Sequence, residues 1–346
     1  MLNAGASVVV IGAGCLAYGA LPVHHAQLAR RYGPPGFTFS GQDFLIVAAL
    51  LYAAAVVVYM LTMAPAEISK SLRALRLAAR WCTSPRVAWR QGLSAEDRVA
   101  VLATLLKMFF GPMMVMSLMV FLVGVWTNGR SIWAAGLHLM GMRVMFDRFG
   151  YWFLMQLILF VDVLIFTVGY LIESRRLGNQ IRSVDPTLLG WAVTLVCYPP
   201  FNAVTHRLLG SQVSDFPRFD DPAVHLVLNL ALLTLMAIYA SASMAMGLKA
   251  SNLTHRGIVV RGPYAFVRHP AYVCKNMAWW IGSVPLVSLA FGRSWWDGML
   301  ALGSVVAWTL VYVARALTEE SHLRRVDGEY AAYAQRVRYR FIPGVY

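Results

Sequence analysis

Apolar runs of about 20 residues recur along most of this chain, set off by short polar segments, and a run of that length crosses ~30 Å of hydrocarbon as a helix. Eight spans are read, at about 5–22, 43–63, 101–126, 151–172, 188–205, 223–248, 272–289 and 298–318. The runs are continuous rather than alternating, so helices and not barrel strands are expected to span. The expected fold class is all-α, a polytopic transmembrane helical bundle. No basic flank precedes the first run, which reads as a retained helix rather than a signal peptide. Two regions are expected: 1–222, with five spans, and 223–346, with three spans and a polar tail.

Between the spans the pattern changes. Over Ala66–Trp81, Lys70, Arg73, Arg76 and Arg80 recur three or four apart, with Ile68, Leu72, Leu75 and Ala79 on the other side. That predicts an amphipathic helix lying on the inner leaflet. Ser94 followed by Asp97 predicts a helix start. Pro112 and Pro199-Pro200 fall inside spans, where proline interrupts the hydrogen-bond ladder and kinks the helix. Such kinks serve either a cavity or packing alone. Lys107 lies about one turn inside the third span and is expected to snorkel to the cytoplasmic surface. Asp162, at mid-span, has two readings: a structural pair with another helix, or a group in a substrate cavity.

Composition sharpens the class. Hydrophobic residues make up 59% of the 346 and charged residues 13%, against about 25% charged in a soluble domain. The net charge of +14 does not point to nucleic acid, because 21 of the 30 Lys and Arg lie in segments 64–98, 173–187, 249–275 and from 315 onward. These segments share one side if both termini are cytoplasmic, as the positive-inside rule requires. Localisation in a membrane, most simply a bacterial inner membrane, is expected, with anionic headgroups as partners of the basic loops. The four cysteines are scattered and imply neither zinc site nor disulfide. Val8–Ala17 matches a dinucleotide fingerprint in Gly12, Gly14 and Ala17, but no acid follows before Asp43 and the surroundings are spans. Small residues in a first transmembrane helix explain these glycines better.

The chemistry concentrates after residue 249. Arg261-Gly-Pro-Tyr264 and Arg268-His-Pro-Ala-Tyr272 break any helix twice at the expected membrane edge. The freed backbone groups must find partners in protein, water or a ligand. Arg315, Glu319, His322 and Leu323 follow helical spacing on the same expected side, with Glu320 beside Glu319. Taken singly, Arg268, Arg315 and Glu319 would read as anchors of helix ends. Together they suit a pocket for a polar ligand, in which a carboxylate takes hydroxyls or an amine and a guanidinium takes an anion.

Residues from about 249 onward resemble the C-terminal catalytic region of the isoprenylcysteine carboxyl methyltransferase family, which is similar to membrane phospholipid methyltransferases. The resemblance rests on Gly262-Pro-Tyr264, Arg268-His-Pro-Ala-Tyr272, Glu319-Glu320, Gly328-Glu-Tyr330, Tyr333 and Ile342-Pro343. It implies S-adenosylmethionine bound at the cytoplasmic face beneath a C-terminal cover. Tyr264 and the run Arg268, His269, Pro270, Ala271 and Tyr272 would contact the cofactor, with Glu319 at its polar end. Arg315 would face the methyl acceptor, a membrane-resident, lipid-like molecule. An amine or hydroxyl acceptor would need a base, for which Glu320 or His322 is available. The stretch Arg256–Val259 matches a further cofactor segment weakly, so Val259 is a lesser candidate. Val273-Cys-Lys-Asn276 departs from the family, where small residues are common, and Lys275 would alter the pocket. No metal is required. The ending Val337–Tyr346 also resembles membrane sterol reductases, which implies an alternative hydride chemistry with NADPH; the contiguous Glu319-Glu320 favours the methyltransferase.

Overall fold

The computed structural model describes residues 2–33, 38–63, 68–136, 141–210 and 212–345. Ala66 and Glu67 of the expected amphipathic stretch, and the terminal Tyr346, lie outside the described residues. The described chain is a helical assembly with two short antiparallel strand pairs, Arg31–Tyr32 with Phe39–Ser40 and Ser183–Val184 with Thr254–His255. It divides into two compact units, one of residues 1–123, 166–184 and 254–256, the other of 124–165, 185–253 and 257–346.

The first unit begins with α1 (Leu2–Ala20), α2 (Pro22–Ala29), α3 (Gly41–Met63), α4 (Lys70–Thr83) and α5 (Pro85–Gln91). The dinucleotide-like run lies wholly within α1. A Cβ on Gly14 would meet the Met108 carbonyl at 2.7 Å, so close helix packing accounts for that glycine. On α3, Ile46, Val47, Leu50, Leu51, Val58 and Leu61 are exposed. A helix apolar all round yet unburied has its natural solvent in lipid.

Ser69 caps α4 by accepting from the Leu72 amide. The buried face of that helix is Ser71, Ala74 and Leu77, rotated from the expected Leu72, Leu75 and Ala79. α4 packs against α1, and Leu72 and Leu75 stay half-exposed. Ser94 and Asp97 bond reciprocally, each side chain accepting from the other's amide, and open α6 (Ala95–Ala135) as expected. Its 41 residues give a length of ~60 Å, well beyond the expected span, with Pro112 inside.

Next come α7 (Met142–Met145), a π-helical turn (Phe146–Gly150) and α8 (Tyr151–Leu171). The stretch 188–205 departs from the single helix expected. It forms α9 (Leu188–Leu195) and α10 (Phe201–Leu209), because Pro199 and Pro200 offer no amide to continue the ladder. The second unit continues with α11 (Pro222–Met246), a 3₁₀ turn (Gly262–Ala265), α12 (Pro270–Arg293), α13 (Trp295–Val326) and α14 (Glu329–Arg336). Among the described residues six helices are long and apolar enough to cross a membrane: α1, α3, α6, the continuous 142–171 helix, α11 and α13. α12 is 24 residues long but holds Lys275, Asn276, Trp279 and Trp280, which lower its mean hydropathy, and it is not among the six.

The core of the second unit gathers Tyr151 and Met155 of α8, Leu232, Leu233 and Met236 of α11, Ala278 of α12 and Phe216. Further along α8, Asp162 is 4% exposed and accepts from Tyr239 Oη at 2.9 Å and from the Ser243 hydroxyl, both on α11. A carboxylate so held ties α8 to α11. Leaving two buried hydroxyls unsatisfied costs about 1–3 kcal/mol. Asp162→Ala is therefore expected to lower the thermal unfolding temperature in detergent, and an unchanged melt would remove this structural role.

Candidate active site

All the groups of the candidate site belong to the second unit. Gly262 opens the 3₁₀ turn at a φ of 60°, a left-handed conformation that glycine adopts without strain. The chain then runs to His269, where Pro270 starts α12 with no amide to lose. The backbone groups freed by these breaks are satisfied by the chain end. Arg268 N donates to the Tyr339 carbonyl at 3.0 Å, and His269 N donates to the Arg340 carbonyl at 3.1 Å. The tail after α14 thus straps the 268–269 corner.

Glu320 of α13 is the centre of that strap and is 1% exposed. Arg340 donates to it through Nε at 3.0 Å and a terminal nitrogen at 3.1 Å. Arg324, one turn on, donates at 3.1 Å, His269 Nε2 lies 3.2 Å away and Arg268 Nε 3.4 Å. Both carboxylate oxygens are engaged by cationic or imidazole partners. Two further ties hold the tail: Tyr333 Oη donates to the Tyr264 carbonyl at 2.9 Å, and Tyr330, Tyr333 and Val337 form a small core with Ile258 and Leu323. Burial pushes the Tyr333 phenol up to about 12, and burial with the nearby Glu319 carboxylate raises Tyr264 further. Both phenols remain neutral donors at ordinary pH.

Glu319 has a different setting. Its side chain is 30% exposed, Tyr272 Oη donates to one oxygen, and His269 Nδ1 is 3.8 Å from the other. His269 and Tyr272 lie parallel with ring centroids 5.6 Å apart. The two distant motifs therefore meet at one small place, His269 bridging the carboxylate pair.

Arg315, one turn before Glu319, is 3% exposed. Its guanidinium lies 5.0 Å from the Tyr272 ring centroid and 5.1 Å from that of Tyr312, as cation–π contacts do. One terminal nitrogen donates to Asn252 Oδ1 at 2.9 Å, and Asn252 donates in turn to Tyr198 Oη at 3.2 Å. Arg315 Nε is buried without a hydrogen-bond partner. Lys275 stands among three rings, 5.2 Å from Trp279, 5.6 Å from Tyr312 and 5.8 Å from Tyr239. Its departure from the family pattern thus puts an ammonium beside the same Tyr312 that Arg315 faces.

Of the sequence-predicted residues, Arg268, His269, Tyr272, Arg315, Glu319 and Glu320 come together. Pro270 is buried at the α12 start and Ala271 is half-buried beside it. Tyr264 joins through its carbonyl, and Val259 is half-buried next to Ile258. Arg340, Asn252, Tyr198 and Tyr312 have no sequence signal that singles them out. Arg340, Asn252 and Tyr198 are each 20 or more residues from the group they hold, and Tyr312 lies in the apolar run just before Arg315.

S-adenosylmethionine, the group the resemblance implies, fits the donors present. A partly open carboxylate suits its amine or ribose hydroxyls. The aromatic faces of His269 and Tyr272 suit adenine or a sulfonium, and the orphaned Arg315 Nε leaves a donor for an anion. The model of the isoprenylcysteine carboxyl methyltransferase (ICMT) family matches residues 223–325. No curated protein and no solved structure matches the chain. The match covers α11, α12 and nearly all of α13, the helices that bring His269, Tyr272, Arg315 and the glutamate pair together. Together with six helices fit to span a membrane, it supports an integral membrane methyltransferase, and over residues 223–325 the chain is similar to the isoprenylcysteine carboxyl methyltransferases.

Proposed function

We propose that this protein transfers a methyl group from S-adenosylmethionine to a lipid-like or amphipathic acceptor at the cytoplasmic membrane face, both termini being cytoplasmic. The observation that carries the reading is the meeting of His269 and Tyr272 with Glu319, under a tail fixed by Glu320. When bound, the cofactor supplies an electrophilic methyl on a sulfonium. The protein's work is then to bind, align and exclude water.

Glu319 binds the polar end of the donor, with Tyr272 and His269 fixing its orientation. Tyr264, Arg268, Pro270 and Ala271 shape the wall around it, and Val259 borders it. Arg315 faces the acceptor: its guanidinium contacts two tyrosine rings set at 81° to each other and is bonded to Asn252, and its buried Nε is left to donate. A carboxylate acceptor would need only that orientation. Glu320, fully engaged by Arg340, Arg324 and His269, serves as a positioning residue that keeps the cover shut, and is poorly placed to receive a proton from an acceptor. Residues 1–222 remain the part proposed to select the acceptor.

The purified protein in detergent is expected to gain thermal stability with S-adenosylhomocysteine and none with NADPH. At a ligand concentration of a hundred times Kd the gain is about 2.7 kcal/mol, a shift of several degrees. Stabilisation by NADPH alone would select the reductase reading instead.

A further inference from the structure

The first unit holds a half-open pocket of about 440 Å³ in which none of the methyl-transfer residues takes part. Its size falls within the ~300–1,000 Å³ of small-molecule sites. Ala55, Val56, Leu106 and Leu171 make its walls partly apolar. Its charged lining is one-sided: Lys70, Lys107, Arg175, Arg176 and Arg256 against the single carboxylate of Glu173. Glu173 is already committed, one of its oxygens accepting both from Lys70 and from the Ile181 amide.

Two groups on one face of α6 are left without an anion. Lys107 has its ammonium 5.4 Å from the Tyr52 ring centroid, and no carboxylate pairs with it among the described residues. Thr104, three residues earlier and so on the same helix face, is 8% exposed and its Oγ1 has no hydrogen-bond partner. A buried hydroxyl with no partner, inside a span, calls for a ligand or water to satisfy it. Snorkelling to a basic loop explains the charge of Lys107 but not the neighbouring orphan hydroxyl or the pocket beside it.

We propose that this cavity is a binding site for a phosphate carried on an apolar body, with the phosphate oxygens taken by Lys107 Nζ and Thr104 Oγ1 and the apolar part laid along the α3 and α6 walls. A lysine ammonium is a good point-charge partner for phosphate, and the surrounding cationic surplus favours an ion that carries more than one charge. A membrane phospholipid and a soluble phosphate ester share this chemistry.

The full-length protein in a neutral-headed detergent tests the proposal with three probes: dioctanoyl phosphatidate, dioctanoylglycerol and inorganic phosphate. Phosphatidate is expected to bind saturably and to raise the unfolding temperature, and dioctanoylglycerol is not. Lys107→Gln should weaken phosphatidate at least tenfold and Thr104→Val several-fold, while Lys107→Arg binds nearly as the parent does. Competition by inorganic phosphate at millimolar concentration would support a soluble ester as the source, and its failure to compete a phospholipid. Equal binding of dioctanoylglycerol and phosphatidate overturns the proposal, as does wild-type affinity in both Lys107→Gln and Thr104→Val. Should Lys107→Gln fail to fold, Thr104→Val, which only exchanges a hydroxyl for a methyl, decides alone. Because none of these readouts involves methyl transfer, failure of the methyltransferase reading leaves the result interpretable.

Discussion

Replacing Glu320 by glutamine is expected to release the chain end from about residue 337 onward and to weaken S-adenosylhomocysteine binding by about a hundredfold or more. The carboxylate is 1% exposed and answers Arg340, Arg324, Arg268 and His269 at once. Removing one partner of a buried charge group costs about 3–5 kcal/mol, because the remaining charges lose their compensation. The cost falls on the tail, whose carbonyls at 339 and 340 also hold the 268–269 amides. A tail that opens exposes the donor site to water, and each 1.4 kcal/mol is tenfold in affinity. Limited proteolysis reads the opening and calorimetric titration reads the affinity. Replacing Glu320 and Arg340 together, by glutamine and methionine, should restore part of the lost stability, since both charges then leave. A Glu320→Gln protein with a protected tail and parental affinity would return this carboxylate to the role of catalytic base.

The second large effect is expected at Arg315. Arg315→Lys should lower methyl transfer by about 10²–10³ while changing S-adenosylhomocysteine affinity less than about threefold. The magnitude is that of losing one preorganised donor at a reacting group. Lysine keeps the charge but not the planar fork that rests against Tyr272 and Tyr312, and it has no Nε–H to present to the acceptor. Rates measured with labelled S-adenosylmethionine and extracted membrane lipid as acceptor give one number, and titration gives the other. Equal losses in rate and donor affinity would move Arg315 from the acceptor side to the donor side.

Much of the architecture was legible because membrane helices announce themselves by length and apolarity, and six of the expected spans fall on helices fit to cross. Local chemistry was legible too: Ser94 and Asp97 cap α6 as their spacing requires, and the glycine that packs α1 on Met108 sits in a helix. Misreadings arose where tertiary packing outweighs periodicity. On α4 the side packed within the protein carries Ser71, Ala74 and Leu77, while Leu72 and Leu75 of the apolar stripe are half-exposed. At 188–205 composition said span, but two consecutive prolines removed the donors a continuous helix needs. Asp162, open between two readings, is bonded to Tyr239 and Ser243, a pairing that residues 77 and 81 apart in the chain could not disclose.

The site shows the same division. The two motifs were visible, and the breaks at Gly262-Pro263 and His269-Pro270 foretold backbone groups in search of partners. That the partners would be the carbonyls of Tyr339 and Arg340 was not visible, nor that the adjacent glutamates would differ so sharply. Neighbours on a helix point about 100° apart. Glu319 consequently meets Tyr272 and solvent while Glu320 turns into the arginine cluster.

The most direct test of a donor held between these two motifs is photolabelling of the full-length protein with S-adenosyl-[methyl-³H]methionine, followed by peptide mapping. Label is expected on peptides spanning 261–275 and 312–324, displaced by excess S-adenosylhomocysteine and lost in Glu319→Ala. Label confined to other segments, or incorporation that S-adenosylhomocysteine does not compete, would contradict the account.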